Sequence, residues 1–179
     1  MINETVRQCN YRINNLRSVS KYLTQKVKLN FCNAFVVSKL TYMSASYITA
    51  PKYLIKKLDT ILINAVKLVL GRKCFKKSHE WILNECGWKT VFSIGMSEAL
   101  KIIHRVNLYK QPLPIANMLT FPNRIAKPIV FNLQNKKSKY DENIFIQKAV
   151  PYYNNLRIEL KTLNLKAFSN KLKRLQYKH

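Results

Sequence analysis

Residues 51–71 read PKYLIKKLDTILINAVKLVLG, and this stretch decides the fold. Leu54, Leu58, Ile61, Leu62, Ala65 and Val69 recur at spacings of three and four, the mark of one apolar helix face. Lys52, Lys56 and Lys67 fall on another side. Pro51 suits the first helical turn, where its missing N–H costs nothing. Gly71 suits the end, because glycine enters the left-handed conformation without a Cβ penalty.

The same periodicity extends in both directions. Upstream, Ile2, Val6, Cys9, Ile13, Leu16 and Leu23 trace a first helix, with Arg7, Arg12 and Lys21 off its apolar face. Thr24 is placed to cap a second helix, which carries Val27, Phe31, Phe35 and Leu40 inward and is expected to run to about Tyr47 or Ile48. Downstream, Arg72-Lys73-Cys74-Phe75-Lys76-Lys77 is a basic connector. Ser78 then caps a short helix through Glu85 that Gly87 ends. A fifth helix is expected over about Val91 to Lys110, with Ile94, Ile102, Ile103 and Val106 inside, until Gln111-Pro112-Leu113-Pro114 stops it.

From about Thr120 to Glu142 the periodicity fades, and Lys136-Lys137-Ser138-Lys139 reads as a solvated basic loop. Two short helices follow. One lies around Ile146 to Leu156, interrupted or begun by Pro151. The other spans Leu165 to Gln176, with Phe168, Leu172 and Leu175 inward. The expectation is an all-α chain: a helical bundle over residues 1–119, a basic loop or linker over 120–143, and a short helical C-terminal extension over 144–179.

Charge narrows the function. The 179 residues hold 32 Lys+Arg against 8 Asp+Glu, a formal net charge of +24. A compact body with that excess repels itself unless a polyanion neutralises it. Nucleic acids and anionic membrane surfaces are the polyanions to weigh. No helix pairs a Lys/Arg-rich face with a Trp/Phe/Leu face well enough for a membrane binder. No apolar run reaches the roughly 18 residues of a membrane span. Residues 1–5 carry no apolar signal-peptide core. Cys9, Cys32, Cys74 and Cys86 make no dense disulfide framework. The expected setting is intracellular, nuclear or cytoplasmic, with free thiols.

Catalytic chemistry finds few footholds. Asp59 and Asp141 are the only aspartates, and Glu4, Glu80, Glu85, Glu98, Glu142 and Glu159 are scattered. Two-metal phosphoryl transfer needs clustered carboxylates. Gly71, Gly87 and Gly95 are too far apart for a phosphate-cradling loop. Cys74, His79 and Cys86 match no zinc spacing and lack a fourth ligand. Cys9 and Cys32 sit where a thiol serves as a small hydrophobe. His104 reads as a surface or core filler rather than a base. No catalytic residue, metal ligand or cofactor is expected.

What remains is basic residues interleaved with aromatics. Lysines and arginines neutralise phosphates, and exposed aromatic rings stack on bases. Stacking is open to Tyr22, Tyr53 and Tyr140, whereas Tyr42 and Tyr47 read as residues of the core edge. Backbone contacts are expected from Arg7, Arg12, Lys21, Lys26, Lys28, Lys52, Lys56, Lys57, Arg72, Lys73, Lys76 and Lys77. A second patch is expected from Lys171, Lys173 and Arg174. Such contacts position a chain without reading bases.

Six elements in order carry a resemblance. They are Cys9 to Leu16 with Lys21-Tyr22-Leu23; Phe35-Val36-Val37-Ser38-Lys39-Leu40-Thr41-Tyr42; and Leu54-Ile55-Lys56-Lys57-Leu58 through Ala65 to Leu70-Gly71. Then come Glu85-Cys86-Gly87-Trp88; Ala149-Val150-Pro151-Tyr152-Tyr153-Asn154-Asn155-Leu156; and Ala167-Phe168-Ser169-Asn170-Lys171-Leu172-Lys173. Together they resemble the region that follows the palm in reverse transcriptases of non-LTR retrotransposons. In the fifth element Arg157 stands where that family often has proline. The resemblance implies a thumb-like bundle and a C-terminal extension that grip a template–primer duplex. It also implies that the palm, with its paired aspartates and metal ions, would precede Met1, so that the chain does not polymerise by itself. The expected partner is RNA, DNA or a hybrid duplex, with no small-molecule substrate. The alternatives are a basic structural component of a ribonucleoprotein, or the thumb of a split reverse transcriptase acting with a separate palm protein.

Overall fold

The computed structural model of the chain describes residues 2–42, 44–74, 76–117, 119–120, 132–133 and 145–172, except the side chains of 72, 73, 120, 132 and 133. The chain is all-α. Its helices are α1 (Ile2–Val19), α2 (Gln25–Cys32), α3 (Ser38–Thr41), α4 (Ser44–Tyr47), α5 (Lys52–Leu70), α6 (His79–Glu85) and α7 (Val91–Tyr109). Beyond these lie α8 (Leu113–Ala116), α9 (Phe145–Asn154), α10 (Ile158–Lys161) and α11 (Leu165–Leu172). The one departure among the described residues is a two-residue antiparallel ladder, β1 (Leu119–Thr120) with β2 (Asn132–Leu133), in which Leu119 faces Leu133.

Contacts divide the chain into two compact units, residues 1–44 with 50–94 and residues 45–49 with 95–179. The change of unit falls inside α7, between 94 and 95. The linker expected over 120–143 lies almost wholly outside the described residues.

In the first unit α1, α2 and α6 pack against α5. The apolar face read from residues 51–71 is the buried one: Leu58, Ile61, Leu62, Ala65 and Val69 are inside, joined by Ile55, Ile63, Val66 and Leu70. Each fully buried Leu or Ile contributes roughly 1.5–3 kcal/mol over leaving it exposed. Pro51 is the N-cap rather than the first helical residue, and its carbonyl accepts from Leu54 and Ile55 N–H. Gly71 closes the helix at φ +59° and ψ −130°, a region that penalises any side chain.

The second helix differs from expectation in length and in phase. Thr24 caps it as expected, its hydroxyl accepting from Val27 N–H. Residues Asn33–Val37 then form a π turn, and the helix ends at Tyr42, where ψ swings to 122°. The buried positions are Cys32, Val36 and Leu40, while Val27 and Phe35 face outward. The sequence offers apolar residues on two adjacent faces, and the face with Cys32 is already the inner one before the π turn begins. Tyr42 is 68% exposed rather than at the core edge, whereas Tyr47 is buried.

The end of α6 follows from Gly87. At φ +68° it lets Trp88 N–H reach the Leu83 carbonyl at 2.9 Å and its own N–H reach that of Asn84 at 2.9 Å. This paired closure satisfies carbonyls a helix end would otherwise leave bare. It also folds buried Trp88 back towards buried Leu83. The indole Nε1 of Trp88 then donates to Asn33 Oδ1 at 2.9 Å, tying the α6 exit to the π turn.

The second unit is organised around His104, which is fully buried. Its ring stacks on Phe168 with centroids 3.9 Å apart. Nε2 lies 2.8 Å from the Leu163 carbonyl, which only accepts, so Nε2 carries the proton. Nδ1 then accepts from the Tyr153 hydroxyl at 2.9 Å. Met96, Ala99, Leu100, Ile103 and Val106 of α7 complete the interior with Ile146, Ala149, Val150 and Leu172. Ile94 and Ile102, expected inside, are half-buried. Pro151 sits within α9, and Lys148 Nζ donates to the Ile48 carbonyl at 3.0 Å.

Candidate nucleic-acid interface

In the first unit α5 carries four exposed lysines. On α5 the buried stripe leaves Lys52, Tyr53, Lys56, Lys57 and Lys67 outward. Spacings of one, four and five residues put Lys52, Tyr53, Lys56 and Lys57 on a single face. Among the described residues, Lys52 and Lys56 have no acidic partner.

Three exposed aromatic rings each sit with a lysine. Lys21 Nζ is 4.8 Å from the centroid of Tyr22, which is 77% exposed. Lys57 Nζ is 5.8 Å from that of Tyr53, 62% exposed. Lys77 Nζ is 5.4 Å from that of Trp81, 38% exposed. A cation over a ring face is attracted by the ring quadrupole, which holds both groups outward together. Tyr22 and Tyr53 are thus available for stacking. Trp81 joins them unforeseen, its signal being its place in the first turn of α6, one turn after Lys77. Tyr140 lies outside the described residues.

The remaining expected contacts have unequal standing. Lys26 is exposed and Lys28 half-buried on α2. Arg7 is exposed but forked onto Glu4, with Nη2 at 2.9 Å and Nε at 3.0 Å. That hydrogen bond, helped by one from Gln8, holds the Glu4 carboxyl below its usual range. Arg12 is half-buried, and its guanidinium donates to the Phe35 carbonyl in the π turn, so it braces α1 against that turn. Lys76 and Lys77 are exposed in the connector, Lys76 at φ +58°. Arg72 and Lys73 lie in a 3₁₀ turn, Gly71–Cys74, whose arginine and lysine side chains are outside the described residues. Lys171 is exposed on α11 in the second unit, and Lys173 and Arg174 lie outside the described residues.

The second unit adds cations the sequence reading passed over. A groove of about 700 Å³ runs between α7 and α11. Lys101, Arg105 and Tyr109 line one wall and Lys166 the other. Their signal was the spacing of four along α7, on the side away from Ile103 and Val106.

Among the described residues, two further carboxylates, those of Asp59 and Glu98, are engaged in internal hydrogen bonds. Asp59 accepts from Val91 N–H at 2.7 Å, and burial raises its pKa against the lowering effect of that bond. Glu98 is bonded to Lys101. All four thiols are free. Burial pushes Cys32 and Cys86 up to about 11, which keeps them protonated and poor ligands or nucleophiles. No three His, Cys, Asp or Glu among the described residues group to hold a metal ion. Also among the described residues, no helix is long and apolar enough to cross a membrane. No protein-family model, no curated protein and no solved structure matches the chain.

Proposed function

We propose that this chain is a non-catalytic nucleic-acid-binding module, with α5 and its flanking segments as the surface that meets the sugar–phosphate backbone. The observation that carries the reading is the α5 face with its neighbours: outward lysines without acidic partners among the described residues, and exposed rings at Tyr22, Tyr53 and Trp81 each accompanied by a lysine. Cations supply sequence-independent affinity through counterion release, and rings add stacking. The absence of catalysis is part of the proposal. It is supported by the engagement of Glu4, Asp59 and Glu98 in internal hydrogen bonds.

The resemblance to the post-palm region of non-LTR reverse transcriptases favours a duplex as the target and a thumb-like role. On that reading the protein works in the nucleus or cytoplasm, beside a separate palm or within a ribonucleoprotein. The test is binding to RNA–DNA hybrid, duplex DNA, duplex RNA and single strands, each across a salt series. Neutralising about six duplex phosphates gives a log–log salt slope of about −5, at about 0.9 per phosphate. A slope near zero would sink the reading.

A further inference from the structure

The second unit holds a charged groove that the duplex-facing reading does not use. Its α7 wall carries Glu98, Lys101, Arg105 and Tyr109, at successive spacings of three, four and four, and its α11 wall carries Lys166 and Asn170. Among the described residues lining it, the one acidic group, Glu98, is bonded to Lys101 and so is neutralised in place. Arg105 and Lys166 are both exposed, and neither has a hydrogen-bond or ion-pair partner among the described residues. They face the groove from opposite walls. Tyr109, at the last turn of α7, is 57% exposed and leaves one ring available.

We infer that this groove is a binding site for single-stranded nucleic acid. Arg105 and Lys166 contact successive phosphates, and Tyr109 stacks on an unpaired base. Charge complementarity sets the class of ligand: two cations on opposite walls of a cleft, neither with an acidic partner among the described residues, fit a phosphodiester chain. The ring sets the strand state. A base must be out of a duplex to lie face-on against a side chain, and such stacking tolerates any base. A concave cleft between two helices also accepts one strand more readily than the convex surface of a duplex. The inference rests on the nucleic-acid reading above but assigns a different unit and a different strand state.

The test uses the full chain with fluorescent oligo(dT), duplex DNA and heparin as separate probes. Tyr109→Ala is expected to weaken oligo(dT) binding at least about fivefold, the lower bound for losing one stacked base, while Tyr109→Phe binds like the parent. The double variant Arg105→Ala/Lys166→Ala is expected to reduce the oligo(dT) salt slope by about 1.4, two phosphates at about 0.7 each. Duplex and heparin binding stay at parental strength in all three variants. Ultraviolet crosslinking of oligo(dT) is expected to map to the peptide containing Tyr109. Unchanged oligo(dT) binding in the variants, or equal losses on oligo(dT), duplex and heparin, would overturn the groove and leave the α5 reading standing. A parent chain that binds none of the polynucleotides would overturn both.

Discussion

Asp59, in the middle of α5, accepts a hydrogen bond at 2.7 Å from the backbone N–H of Val91, the first residue of α7. Thr90 serves the same helix start through its hydroxyl, 3.2 Å from Ser93 N–H. Two side chains from different elements therefore satisfy donors that the first turn of α7 leaves without intrahelical partners. The carboxylate does this at a cost, because burial raises its pKa above the usual 3.8. The folded state thus holds the Asp59 proton more tightly than the unfolded chain. The associated stability is present below the usual value and is lost as pH rises through the folded value. Asp59→Asn, which keeps an acceptor and removes the charge, should be at least as stable as the parent at pH 7 in urea denaturation. Asp59→Ala should lose about 1 kcal/mol, the usual cost of an N-cap deletion.

His104 gives the second unit the opposite pH response. Burial lowers its pKa from the ordinary 6.5, despite the bond to Leu163 that favours the charged form. The unfolded chain therefore binds its proton first on acidification. Stability is full above about the ordinary value and is lost as pH falls through the depressed one. Denaturation midpoints followed from pH 7.5 down to 5 should fall, and His104→Gln should flatten that fall. Tyr153→Phe strands Nδ1 in the interior and should cost about 1–3 kcal/mol at pH 7, the penalty of an unsatisfied buried group.

How much of this was legible depends on how far each residue's partner lies along the chain. Thr24, Ser78 and Gly87 were readable because their partners are within five residues: Val27, Trp81, and the carbonyls of Leu83 and Asn84. The α5 face was readable because nine of its nineteen residues are buried at helical spacing. His104 was not, since Tyr153 and Leu163 are 49 and 59 residues away. The inner face of α2 was not, because Val27 and Phe35 compete with Cys32 and Val36. For the candidate interface the abundance of cations was plain. Which of them are occupied internally, as Arg12 is by the Phe35 carbonyl, depends on tertiary neighbours.

Gly87 is the position where backbone conformation alone should decide stability. A Cβ built there meets nothing within 4 Å, so there is no packing objection to alanine. The objection is φ +68°, which costs a residue with a side chain about 1–2 kcal/mol. Gly87→Ala should lower the unfolding free energy by that amount, and Gly87→Asn by less, because asparagine tolerates the left-handed region better. Equal stability of all three chains would mean that the α6 exit does not need the left-handed turn.

Arg12 and the α5 lysines are both cations of the first unit, and the structure gives them different surroundings. Lys52, Lys56 and Lys57 are outward, and among the described residues removing their charges leaves no internal acceptor unsatisfied. The triple variant Lys52→Ala/Lys56→Ala/Lys57→Ala should keep the parental unfolding midpoint. Its duplex salt slope should be shallower by about 2.7, three phosphates at about 0.9 each, with equal losses across duplex sequences. Arg12→Ala should do the reverse. It removes the donor to the Phe35 carbonyl and should cost about 1 kcal/mol of stability, with little change in slope. Arg12→Lys would keep the charge without the planar fork and should recover only part of the stability. If Arg12→Ala instead reproduced the slope change of a lysine variant at full stability, Arg12 would belong to the binding face and not to the π-turn brace.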